Sequence, residues 1–544
     1  MNLKKVVALA LVGAIGISSI LTGCSKAEEE KVVTEKKEVA ASDNFNATGY
    51  PIVNETITLD VIFNSHPNTI ELNEMPFFQE LEKKTNIKLN VETIRSGWTE
   101  KKNLVLASGD LPDIFFGEGL KDTDLLNNKD FFVDMNSYIS EYAPNIQKMF
   151  EEEPVTEKMA TVPNTGEIYG LPNVRPFRPN VGDTWFINQE WLDNLGLEMP
   201  QSTEEFYEVL KAFKEQDANG NGDPNDEIPF NFNPVEPNNS NKYFTWRGIL
   251  GSFGVTNDRF GDNVYLRDGN VQYVTVAEGY KEAVQYMHRL YSEGLIYSEV
   301  LTQDNYNKSG KTPDVAQLGA GVHWQAAVLF GQWADQYAVL PPLEGPRGDR
   351  TVVTDPTKIR MKKNTFSITS ANPYPEATMR WVNELYDPEA SLQLFFGSIG
   401  PCIEKKDDGY VVLDPTEESG LDAGSWKWTN APADRAPMYA SKSIEEQTTI
   451  PEFHKIKLGY EDVLTPYMEP ESNTFPMVIW TPDISEELAT LKNDIGTYAG
   501  TKTAEWIVNG GIEEEWDKYI DDINNMGLER YLEIYQEAYD NFMK

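Results

Sequence analysis

The chain has 544 residues, with 87 Asp and Glu against 47 Lys and Arg, for a formal net charge of −40 at pH 7. That balance disfavours nucleic acid and anionic lipid as partners, and a strongly acidic ligand would need a local basic pocket. Hydrophobic residues at 40% and aromatics at 11% describe a globular chain, long enough for two or three ordinary domains or two large lobes.

In chain order, Met1–Lys5 carries Lys4 and Lys5 and precedes Val6–Ile20, a run without charge or proline. This is the layout of a secretory signal, and the run is short of the roughly 20 apolar residues of a spanning helix. A retained short anchor is the other reading. Leu21-Thr22-Gly23-Cys24 resembles the lipobox of bacterial lipoproteins. The resemblance implies cleavage after residue 23 and lipidation of Cys24, hence a cell-membrane lipoprotein tethered by palmitate-type chains on the extracellular face. Residues 24–50 follow as a tether. Their Ser25–Gly49 stretch is charged and lacks sustained apolar periodicity, so it is expected to be disordered. With Cys24 lipidated, Cys402 has no disulfide partner and reads as a small packed residue.

Beyond the tether, Thr56–Phe63 and Ile87–Thr93 alternate as strands around a helix at Phe77–Thr85. A helical pattern at Lys101–Ala107 and a buried strand at Asp113–Phe116 continue an α/β succession. Trp185–Asn188 reads as a strand leading into Gln189–Gly196. Ser202 and Glu205 then have capping-box spacing, and Phe206, Val209, Leu210 and Phe213 fall on one helical face. Near the end, Trp516, Tyr519, Ile520 and Ile523, then Leu528, Tyr531, Leu532 and Tyr535, predict packed helices.

The loop Asp217–Glu227 (DANGNGDPNDE) sets oxygen side chains at alternate positions and then a glycine. Calcium takes six to eight oxygens, and a tight loop lets such side chains converge, so a structural Ca²⁺ is expected. The loop is EF-hand-like over its first six positions and departs at the twelfth, Ile228, so Asp226 and Glu227 must close the site in a shifted register. The competing reading is a solvated Asn/Gly turn. The four histidines, His66, His288, His323 and His454, show no paired zinc-type spacing and read as packed or exposed.

The segments LASGDLPDIFF (106–116), GEIYGLPNV (166–174), Trp185–Phe230 and MRWVNELYD (379–387) together resemble family 1 of the extracellular solute-binding proteins. Within that family the chain resembles the large lipoprotein subunits of oligosaccharide ABC importers and is similar to the alginate-oligosaccharide binders. The resemblance implies a two-lobed, type II periplasmic-binding-protein-like α/β fold, with hinge crossovers and a ligand cleft between the lobes. It further implies an importer permease as partner, an oligosaccharide as ligand, a monomer, and no catalysis. In the family's calcium loop Asp217, Asn219, Asn221, Asp226 and Glu227 match side-chain ligands and Asp223 matches a backbone-carbonyl position. One extra residue before Asp226 brings Asn225 into play as a substitute. Lobe 1 is expected at 51–175 and 353–400, and lobe 2 at 176–352 and 401–544. Crossings are expected near Pro172–Trp185 and Leu340–Val353.

Aromatic rings pack on the C–H faces of pyranoses while polar neighbours bond the hydroxyls. Trp191, Trp381, Trp506 and Trp516 lie within helical patterns and read as core. Trp98, Trp185, Trp246, Trp324, Trp426, Trp428 and Trp480 are the cleft candidates, most of them in loops or near element ends. A surface-tethered glycoside hydrolase or lyase, or a sensory sugar-binding lipoprotein, would share many of these features. Neither G-x-S-x-G nor H-E-x-x-H occurs.

Overall fold

A computed structural model describes residues 44–234, 243–258 and 261–544. Cys24 and the tether up to residue 43 lie outside them. Among the described residues are fourteen strands: β1 (Ile57–Asn64), β2 (Ile87–Ile94), β3 (Ile114–Phe116), β4 (Leu171–Val174), β5 (Thr184–Asn188), β6 (Ile228–Asn231), β7 (Val264–Arg267), β8 (Asn270–Tyr273), β9 (Leu318–His323), β10 (Tyr337–Val339), β11 (Met361–Ile368), and β12 (Ile403–Lys406), β13 (Gly409–Val412) and β14 (Thr448–Thr449), which form a small sheet of their own.

The first sheet has the order β2-β1-β3-β11-β4. Strands β1, β2 and β3 run parallel, with Ile57 beside Ile87 and Val61 beside Ile114, and helices Pro76–Thr85 and Trp98–Ser108 connect them. Alternation along β1 sends Val61 and Phe63 into the main core of this lobe and Ile62 into a smaller cluster on the opposite face. Both faces are therefore covered, as a parallel sheet requires. Strand β11 returns antiparallel to both β3 and β4.

The second sheet has the order β10-β5-β9-β6. Ile187 of β5 enters a large core with Trp191, Phe206, Leu210 and Phe213, while its neighbour Phe186 faces a separate cluster around Leu329 and Phe330. The expected helix runs Thr203–Glu215, and the Ser202 side chain accepts from the Glu205 amide at 3.2 Å. Glu205 reaches back to the amide of Gln201 at 2.7 Å, one residue before the cap. Helices Pro482–Asn509, Ile512–Asn525 and Leu528–Met543 close this lobe. None of the described helices is long and apolar enough to cross a membrane.

Core membership revises the expected lobe boundaries. Cys402, Ile403, Val412, Met438, Tyr439, Ile444 and Ile450 pack with Leu59 and Phe116, not with the second lobe, whose large core regains the chain at Phe475 after Tyr460 has touched its smaller cluster. The chain therefore crosses three times, through 175–183, 344–360 and 451–474. The expectation held only the first two. The third has the helical spacing of Phe453, Ile456, Tyr460, Val463 and Tyr467, which tells a helix but not a crossing, and its polar groups bind the other crossings. Glu469 accepts from Thr351 at 2.8 Å, and Asn180 donates to Glu461 at 3.1 Å. Arg175 likewise donates to the carbonyl of Ile359 at 2.5 Å.

The end of the tether is also ordered, contrary to the expectation for Ser25–Gly49. Asn46 donates its amide to Ile52 at 2.9 Å, Arg380 donates to Gly49 at 2.9 Å, and Phe45 meets Tyr142 edge-on. The cation and the ring supply partners that sequence spacing does not reveal. Cys402 is 1% exposed, and burial pushes its thiol up to about 11, as suits a packed residue.

A cationic cleft between two cores and an oxygen-rich loop

A cleft of about 860 Å³ opens where the crossings meet the two sheets. One wall is the loop after β3, Glu118–Asp122, with residues of β11 beside it. The pairing of β11 with β4 slips between Lys362 and Phe366, and Asn364 within the slip has φ 53°. Such a bulge re-aims side chains, and Lys362, Lys363 and Asn364 line the cleft. Gly170 faces it closely: a Cβ there would stand 2.2 Å from Oδ1 of Asn364, so no larger residue fits beside the bulge.

Trp428 and Trp324 contribute rings to the lining, and Phe177, Tyr243 and Phe453 add three more. Trp428 belongs to helix Ala423–Asn430 of the first lobe, and Trp324 follows β9 of the second. Each indole has a cation near its face: Lys427 is 4.9 Å from the ring of Trp428, and Lys457 is 4.6 Å from that of Trp324.

The other tryptophan candidates stand elsewhere. Trp98 starts a helix and packs beneath the Glu118–Asp122 loop, donating to the carbonyl of Gly119 at 2.9 Å. It supports the cleft wall without lining it. Trp185 sits against Phe206 and Phe230, with Gly248 close to its Nε1. Trp246 is 1% exposed and is core. Trp426 packs on the first core. Trp480 stacks on Phe475 and lines a separate groove of about 460 Å³ beside the last helix.

Sequence reasoning missed the cleft's charge. Arg175, Arg178 and Lys427 surround one partly buried carboxylate, Asp434: Arg175 at 3.1 Å, Lys427 at 3.3 Å, and Arg178 in direct contact. Although burial opposes its ionisation, these cations hold Asp434 well below the usual carboxylate range. The signal was present in VRPFR (174–178), which lies on an expected crossing, but a run of two arginines is not specific. His454, expected to be packed or exposed, also lines the cleft. Burial, then Lys427 and Arg178, push it down to about 4.

The Asp217–Glu227 loop folds on its own oxygens. Asp217 accepts from the amides of Asn221 (3.0 Å) and Gly222 (2.9 Å), while Gly220 and Gly222 take φ of 71° and 93°. Asn219 and Asn221 donate to Asp226 at 3.0 and 2.8 Å, and Gln317 donates to it at 2.9 Å. These bonds hold the Asp226 carboxyl below its ordinary value although burial raises it. Asp223 turns instead toward Asn225, 3.0 Å away. The amide nitrogens of Asn219 and Asn221 thus face Asp226 while their oxygens accept from the amides of Asn221 and Asp223, and Oε2 of Glu227 is left as a buried acceptor without a partner. Among the described residues no group of three or more His, Cys, Asp or Glu is arranged to hold a metal, and this loop draws part of its donor set from asparagine amides.

Two cores joined by three crossings around a lined cleft define a ligand-binding protein of the hinge type. The comparisons agree: residues 70–391 match the bacterial extracellular solute-binding proteins, and the chain belongs to that family. It is 32% identical over 530 residues to the fructooligosaccharide ABC transporter substrate-binding protein FusA of Streptococcus pneumoniae, spanning 93% of this chain and 94% of that one. The solved structure of FusA with kestose matches with TM-score 0.77 at 30% identity, covering 90% of this chain and 99% of that chain. A FusA EF-hand mutant, solved with fructo-nystose, also matches. An HMO-binding, transporter-associated protein from Bifidobacterium longum infantis matches with TM-score 0.80 at 26% identity, over 90% of this chain and 99% of that one. The alginate-binding protein AlgQ2, at 24% identity and TM-score 0.65 over 91% and 100% of the two chains, shares the fold.

Proposed function

We propose that this protein is a membrane-tethered extracellular receptor that captures an oligosaccharide and delivers it to an ABC importer, without chemistry of its own. The observation that carries this reading is the pairing of Trp324 and Trp428 in one cleft, each from a different lobe. A saccharide that touches both rings gains contacts only when the lobes approach, so binding favours the closed arrangement. Moving that equilibrium from mostly open to mostly closed takes about 5.5 kcal/mol of differential affinity. Two to three stacked rings at roughly 0.5–1.5 kcal/mol each beyond area burial, together with hydroxyl hydrogen bonds, supply that order of energy.

The Asp217–Glu227 loop holds a structural calcium ion in this reading, supported by its density of oxygen side chains, by the unpartnered Oε2 of Glu227 and by the EF-hand that the FusA mutant structure names. Lipidated Cys24 keeps the monomeric receptor beside the permease. Calorimetric titration with neutral and acidic oligosaccharides, followed by small-angle scattering with the best binder, tests the whole. Saturable binding with compaction is expected. Hydrolysis or elimination of the bound sugar, lost on changing one carboxylate, would make it an enzyme instead.

A further inference from the structure

The chain as a whole is strongly acidic, yet its cleft is not. Its lining holds Lys121, Arg175, Arg178, Lys358, Lys362, Lys363, Lys427 and Lys457 against only Glu118, Asp122 and Asp434. Several of these cations are matched locally. Lys362 pairs with Glu118, Lys363 with Asp122, and Lys358 with Asp355 at 3.3 Å. The densest imbalance is where Asp434 is in contact with Arg175, Arg178 and Lys427, with Glu118 acting on Arg175 from further off. Arg175 and Lys427 are 6% and 8% exposed, so solvent does little to offset the surplus. Nε of Arg178 is buried and has no hydrogen-bond partner.

A second set of groups senses the same field. Burial is the main reason that His66 and His454 are held below their ordinary values, but Lys427 also lowers both, with Arg435 acting on His66 and Arg178 on His454. Buried cations in excess of their carboxylates are unfavourable unless a further anion compensates them. In a partly desolvated cleft such an anion would be strongly attracted.

We infer that the cleft is built for an oligosaccharide that carries negative charge, a carboxylate or sulfate group set against Arg178 and Lys427. The inference rests on the receptor reading above and narrows its ligand. The charge does two things there. It completes the half-matched guanidinium of Arg178, whose planar fork suits an oxyanion, and it neutralises the surplus around Asp434. The rings of Trp324 and Trp428 bind the uncharged faces of the same sugar.

The pH response has a definite sign. Burial, offset in part by Asp434 and reinforced by Arg178 and Arg175, leaves Lys427 with its ammonium pushed down to about 8. The groups facing it are Asp434, the two guanidinium groups, the rings of Phe395 and Trp428, and the imidazoles of His66 and His454. Both imidazoles are already neutral near pH 7. An anion bound beside Lys427 raises its pKa, so affinity for that anion falls as pH rises through and above about 8.

The test uses the full chain in detergent and two matched sets of ligands. One set contains oligomers of galacturonate, of glucuronate-bearing sugars and of mannuronate and guluronate, with a sulfated trisaccharide as a separate arm. The other contains the methyl esters of the same uronate oligomers, and kestose. The expected result is that the best ligand is acidic. Esterification or desulfation should weaken it at least tenfold, with affinity falling between pH 7 and 9 and with added salt. The uronate and sulfate arms then tell the two oxyanions apart. Lys427→Gln and Arg178→Gln should each weaken binding of the acid at least tenfold more than binding of its ester, and a cooperative melt shows that the variants fold. A neutral best ligand, or equal affinity for acid and ester, overturns the charge inference and leaves the receptor reading standing. Failure of every saccharide in both sets overturns the receptor reading and with it this one.

Discussion

The imidazole of His66 stacks on the indole of Trp428, with centroids 4.5 Å apart and planes 22° from parallel. Burial, then Arg435 and Lys427, hold His66 below its ordinary value, so the ring is neutral near pH 7 and accepts from the amide of Asn68 at 3.2 Å. The stack holds one face of Trp428 against the protein at the edge of the cleft.

Trp428→Ala and Trp324→Ala should therefore each weaken oligosaccharide binding by about tenfold or more, since roughly 1.4 kcal/mol is a factor of ten and stacking adds to area burial. Melting should shift by only a few degrees, because both rings are partly exposed. Trp246→Ala is the contrasting variant: its ring is 1% exposed, and its loss should cost about 3–5 kcal/mol of stability. Calorimetric titration and thermal melts separate the two behaviours. Full affinity in Trp428→Ala would remove that ring from the ligand's path.

Much of the fold could be read from periodicity. The β1-helix-β2 opening, the capped helix at Ser202 and the closing helices all follow from apolar spacing, because burial of one face dictates it. The cleft was less legible. Trp98 and Trp246 look alike in sequence to Trp324 and Trp428, since each lies near an element end. Only tertiary packing distinguishes them, in the Gly119 carbonyl over Trp98 and the core around Trp246. The cation cluster draws Arg175 and Asp434 together across more than 250 residues, a distance no local pattern can encode.

Two imidazoles give the pH dependence of stability. Burial pushes His323 and His454 down to about 4 each. The unfolded chain takes up these protons below about pH 6.5 while the folded chain refuses them, so stability should fall as pH drops from about 6.5 toward 4. Each group contributes on the order of 2–3 kcal/mol across that window, and neither contributes above it. Urea midpoints at pH 7, 5.5 and 4.5 in the parent and in His323→Asn and His454→Asn variants should show a flatter acid limb for each variant. Equal slopes would mean that carboxylates alone set the acid limit.

Lipidation at Cys24 is tested in the membrane fraction. Mass spectrometry should recover the mature chain without residues 1–23, and Cys24→Ala should appear in the medium or as unprocessed precursor. An acyl chain contributes about 0.8 kcal/mol per buried methylene, so loss of a multiply acylated residue should shift partitioning completely, not by a few per cent. Equal retention of Cys24→Ala in mature, processed form would argue for another anchor.

The calcium loop makes the most direct prediction about stability. Asp226 gathers three amide donors, and Glu227 leaves Oε2 without a partner, so a divalent cation binding to these oxygens would act on the folded chain alone. A ligand at a hundred times its dissociation constant stabilises the folded state by about 2.7 kcal/mol. Chelation should therefore lower the melting temperature by several degrees, and calcium, but not an equal concentration of magnesium, should restore it. Magnesium demands a smaller, near-octahedral shell that a loop of this length and flexibility does not supply. Asp226→Asn and Glu227→Gln should abolish the response, since each removes an inward charge. Asp223→Ala should largely keep it, because that side chain bonds Asn225 and the family resemblance gives this position a backbone-carbonyl role. A melting curve indifferent to chelator in the parent chain would identify the segment as an Asn/Gly turn held by its own hydrogen bonds.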